Sequence, residues 1–143
     1  MKNSKNTPLK FYLLIILFII SIFSSLFLLY PRLIILVNGA ANPGMIFSII
    51  LLFIYLFLLI KSIYLFLKLK KEAINTSTFA VLTGITITLW VYLLGPLILA
   101  ENKIRLVLFL KYLPTLLINL FINILILIYL KKSKEIKGIL INK

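Results

Sequence analysis

Four polar residues recur at intervals of four in an otherwise oily stretch of the chain: Lys111, Thr115, Asn119 and Asn123. On an α-helix that spacing places all four along one stripe. An ammonium, a hydroxyl and two carboxamides would then form a continuous line of hydrogen-bonding groups. Two amides facing lipid would cost several kcal/mol, so the stripe is expected to point into a bundle or toward a partner. Thr83, Thr86 and Trp90 offer a second polar face, with Gly84 and Thr88 on an adjoining one, and Ser21, Ser24 and Ser25 offer a third. Two uses are open. Hydrogen bonds between helices, worth roughly 0.6 to 2 kcal/mol each, would make these groups packing devices. A seam that binds or conducts a small solute would make them functional.

Other chemistry is scarce. The acids are Glu72, Glu101 and Glu135, all outside the apolar stretches, so no carboxylate is placed for general acid–base work or for membrane-embedded proton coupling. Cysteine and histidine are absent, which removes thiol redox chemistry, disulfides, haem attachment and the usual zinc sites. There is no phosphate-cradling glycine loop and no metal-ligand cluster in the sequence. The chain is read as a non-enzyme that needs no cofactor.

The elements that position the stripe follow from hydropathy. Of 143 residues, 63% are apolar and only 13% charged, against about half apolar in a soluble domain. Phe11 to Tyr30 carries no charge, and twenty residues at 1.5 Å each cover the roughly 30 Å hydrocarbon core. A signal peptide is the rival reading, but its apolar core is shorter, about 7 to 15 residues. Pro31 and Arg32 mark the exit, although Leu33 to Val37 is apolar again and allows the helix to run on with a kink. Further spans are expected at about 45–67, 79–100 and 106–130. They are separated by Asn42-Pro43-Gly44, by the polar segment Glu72 to Thr78, and by Gly95-Pro96 with Glu101 to Lys103. A loosely ordered basic tail follows. The predicted fold is all-α: an antiparallel four-helix transmembrane bundle forming one domain over residues 1–143.

Charge sets the orientation. Lys2, Lys5, Lys10, Lys61, Lys68, Lys70, Lys71, Lys131, Lys132, Lys134, Lys137 and Lys143 fall on one side, against Arg32, Lys103 and Arg105 on the other. Because Lys and Arg are retained in the cytoplasm, both termini are expected inside. This placement explains the basic excess by topology, not by nucleic acid. Lys68, Lys70, Lys71, Lys131, Lys132, Lys134 and Lys137 could also touch anionic headgroups. Lys111 either snorkels to the outer interface or pairs with Glu101 across the third loop. Pro114 is expected to bend span four. Trp90, placed near the middle of span three, is read as a packed inward ring, with a ligand-stacking platform as the alternative.

The segment Tyr129-Leu130-Lys131-Lys132-Ser133-Lys134-Glu135-Ile136-Lys137-Gly138 resembles the closing pattern of a bacterial four-span membrane family, domain of unknown function 2569, in which an aromatic-rich helix end runs into Lys-Ser-x-x-Val-Lys. Glu135 stands where that family tends to have a basic residue. The resemblance implies a bacterial inner-membrane location and no known activity. Three functions are carried forward: an accessory, interaction or immunity-type protein of the cytoplasmic membrane, a subunit of a small-solute transporter or channel using the polar seam, and an anionic-lipid-binding protein. The partners implied are the bilayer and a protein or second copy within it. The residues leave substrate, partner and oligomeric state open.

Overall fold

The computed structural model describes residues 9–39, 42–94 and 102–133, together with 136, 138 and 140 of the tail. Among these residues the chain is helical, with no strand. Four helices are long and apolar enough to cross a membrane. They are α1 (Leu9–Val37), α2 (Pro43–Leu67), α3 (Glu72–Leu89) and α4 (Asn102–Lys132), and α3 passes without a break into a π-helical turn, Trp90–Leu94.

One boundary left open by the sequence is fixed, and another differs from that expected. Helix α1 does not stop at Tyr30 but carries Pro31 inside it and continues to Val37. The apolar residues beyond the proline keep the segment helical even though Pro31 supplies no amide hydrogen. Helix α3 begins at Glu72, not Phe79, so the polar segment forms its first two turns. There Ala73, Ser77, Ala80 and Val81 form one buried face, and the Thr78 hydroxyl donates to the Ile74 carbonyl at 2.8 Å. Glu72 stands in the first turn, where its charge complements the helix dipole.

Local sequence explains the ends of α2. Asn42 caps it, its side-chain oxygen accepting from the Met45 amide at 2.8 Å, with Pro43 at the first helical position. At the other end Leu69 sits in the left-handed region at φ 53°. The Lys70 amide reaches the Leu65 carbonyl and the Leu69 amide reaches the Phe66 carbonyl, both at 3.0 Å. These two bonds make a Schellman motif with leucine where glycine is usual.

Helix α1 lies against α2, α2 against α3, and α3 against α4. The main core gathers Phe11, Leu14 and Phe18 from the start of α1, Leu59, Leu65 and Phe66 from the end of α2, Ala73, Ala80 and Val81 from the start of α3, and Ile126 and Leu130 from the end of α4. Consecutive helices therefore run antiparallel. Phe66 anchors this core, its ring edge-on to Phe11 at 5.5 Å and tilted to Phe18 at 6.2 Å.

The tail departs from the loose arrangement expected. Ile136 and Leu140 are buried in the same core, and the Ser133 hydroxyl accepts from the Ile136 amide at 3.2 Å, starting a helical turn. Spacing of four puts both apolar side chains on one face, so burying them draws the segment onto the bundle.

A second, smaller core of Leu29, Ile49, Leu52, Leu56 and Ile87 fills the opposite end and, among the described residues, contains none of α4.

Candidate functional site

The expected stripe on α4 does not face one way. Each step of four residues turns about 400°, so successive members drift by about 40° and the ends of the stripe by about 120°. Lys111 and Thr115 lie exposed, whereas Asn119 and Asn123 are half-buried. The inward line of α4 is instead Leu116, Ile126 and Leu130. Both amides turn back on their own helix. Asn119 Nδ2 donates to the Thr115 carbonyl at 2.9 Å, and Asn123 Nδ2 to the Asn119 carbonyl at 2.8 Å.

Hydroxyls behave alike. Thr83 donates to Phe79, Thr86 to Leu82 and Thr88 to Gly84, as Ser21, Ser25 and Ser62 do to the carbonyls four residues before them. Among the described residues no hydrogen bond joins Thr83 or Thr86 to the α4 stripe. Close approach occurs elsewhere: Tyr55 of α2 lies over Gly84 of α3, where a Cβ would stand 3.1 Å from the phenol oxygen. Two buried hydroxyls, of Ser77 and Tyr129, have no partner among the described residues.

Glu101, Lys134 and Lys137 lie outside the described residues, and with Glu101 so does its pairing with Lys111. The Lys111 ammonium stands 6.0 Å from the ring centre of Tyr112, within cation–π range. Lys68, Lys70, Lys71, Lys131 and Lys132 are all exposed at the end where α1 begins and α4 finishes, the terminal end of the bundle.

Trp90 instead bonds to another helix. Its indole Nε1 donates to the Gly44 carbonyl of α2 at 3.2 Å, and its ring meets Phe47 edge-on at 4.9 Å. Because α3 starts early, Trp90 stands 18 residues after Glu72, level with the first turn of α2, and not at mid-span. It is also the first residue of the π turn, a local widening often found at functional positions.

Around it lies a cleft of about 140 Å³ lined by Arg32, Asn42, Gly44, Met45, Ser48, Trp90 and Val91. Three segments build it: α1 beyond Pro31, the capped start of α2, and the π turn. Arg32 is half-buried, and its guanidinium donates to the Leu28 carbonyl one turn back. In the π turn, the Tyr92 ring lies tilted against Tyr112 of α4 at 5.9 Å. Sequence reasoning counted Arg32 for topology and Asn42 for a turn, and missed that both line one cleft. The available signal was an arginine directly after a proline inside an apolar run, followed by an Asn-Pro helix start.

No protein-family model, no curated protein and no solved structure matches this chain. The likeness of the Tyr129–Gly138 segment to the four-span family thus rests on those ten residues alone.

Proposed function

We propose that the chain is a small multi-pass accessory protein of the cytoplasmic membrane, with both termini on the cytoplasmic side, whose α4 surface receives a protein partner or a second copy. One observation carries the reading: the ammonium of Lys111 and the hydroxyl of Thr115 lie on the exposed side of the helix that is least buried in its own bundle. Polar groups on a lipid-facing surface are costly unless a neighbouring helix covers them. The orientation is supported by the gathering of Lys61, Lys68, Lys70, Lys71, Lys131 and Lys132 at the terminal end. A conduit through a single copy has less support, since most of the described interior hydroxyls bond within their own helices and the described cleft sits at one end.

The chain has no cysteine, so Thr115→Cys introduces its only thiol. Crosslinking in the native membrane should trap a reproducible companion or a dimer through this position, and much less through Phe53→Cys on the exposed side of α2. Equal trapping at both positions, or none at either, would refute the docking role. Solute flux lost on Asn119→Leu with folding intact would favour transport instead.

A further inference from the structure

The cleft at the Arg32 end is rich in donors, while the acceptors that the start of α2 presents to it are engaged. The Asn42 side-chain oxygen takes the Met45 amide, the Asn42 carbonyl takes the Met45 and Ile46 amides, the Gly44 carbonyl takes Trp90, and the Met45 carbonyl takes Ser48. On the donor side, Arg32 has five N–H groups and uses one toward Leu28. The Asn42 Nδ2 and the Gly44 amide have no acceptor among the described residues. Among the described residues no acid lines the cleft. A recess with a planar cation, further N–H donors and engaged acceptors suits a ligand that only accepts, and a guanidinium fork matches phosphate oxygens two at a time.

From this imbalance we infer that the cleft binds a phosphate group. The aromatic wall of Trp90 and Phe47 and the apolar Met45 and Val91 beside the donors suit a phosphate that carries an apolar or glycerol portion. The first turn of α2 and the end of α1 stand where an interfacial headgroup would lie. A phospholipid headgroup and a free phosphate share this chemistry. The site is separate from the α4 surface and from the lysines at the terminal end, and it stands whether or not a protein partner exists.

Trp90 is the only tryptophan in the sequence and lines the cleft, so its fluorescence reports occupancy directly. Full-length protein in a neutral detergent is titrated in parallel with phosphatidylglycerol, with diacylglycerol of the same chains, and with inorganic phosphate. A saturable change with phosphatidylglycerol alone is expected for a lipid source, and the same change with inorganic phosphate for a free one. Diacylglycerol is expected to be silent. Arg32→Gln should weaken half-saturation by roughly tenfold to a hundredfold, the usual worth of charged hydrogen bonds. Asn42→Asp tests the same point without touching the arginine, since aspartate caps a helix as well as asparagine does but sets a negative charge among the donors. It should lose binding at unchanged melting temperature. Diacylglycerol acting as well as phosphatidylglycerol, no saturable change with either phosphate probe, or binding indifferent to Asn42→Asp would overturn the assignment.

Discussion

The two ends of the bundle are built on different principles. At the terminal end all four helices and the returning tail converge on Phe66 and Leu130, both without exposed surface, and small residues such as Ala73 and Ala80 let backbones draw close. At the Arg32 end no described residue of α4 joins the buried core, and the described contacts include an indole hydrogen bond, a ring contact and a cleft. Packing is close where apolar shapes meet on every side, and polar donors collect where they do not. The chain thus places its stability at one end and its capacity to recognise something at the other.

Substitutions can break that contrast. The largest effect is expected from Phe66→Ala, which should cost about 3–5 kcal/mol by emptying the terminal core; Met45→Ala at the cleft should cost far less, and equal losses in detergent unfolding would mean that the ends are not energetically distinct. Next comes Gly84→Leu, which drives a side chain into Tyr55, with an expected penalty of about 1–3 kcal/mol and a lowered melting temperature. Trp90→Phe keeps a ring but removes the bond to Gly44, for about 1 kcal/mol. Its effect should show as faster hydrogen exchange confined to the π turn and the start of α2, and uniform loosening would argue against a local role. Leu69→Gly is expected to be nearly neutral: relief of left-handed strain, about 1–2 kcal/mol, offsets the loss of a partly buried leucine and the added freedom of the unfolded chain. The smallest change is expected for Asn123→Leu, which removes a bond within α4 and none between helices, so that melting should barely move.

Much of the fold was legible because hydropathy and charge are strong signals over twenty residues, and four helices of spanning length follow from them. The boundaries were less so. Glu72 to Thr78 looked like a loop because its side chains are polar, yet small residues every three to four positions gave α3 a face to bury. Pro31 looked like an exit, yet a proline inside an apolar run merely interrupts one backbone bond. The stripe on α4 was correctly seen as periodic, but its 40° drift per step decides which members face inward, and a spacing of four conceals that. Arg32 and Asn42 were visible as residues and invisible as walls of one cleft, because that arrangement depends on α1 running past its proline to the level of the α2 cap.

The habit of serine, threonine and asparagine side chains to bond backwards onto their own helices has a consequence for how the molecule comes together. Most of the described hydroxyls and amides are quenched within their own helices, so away from Ser77, Tyr129 and Trp90 neighbouring helices can part or rotate without stranding a polar group. Outside the Trp90–Gly44 bond, cohesion then depends on contour, and a foreign helix of matching contour would compete with the native one.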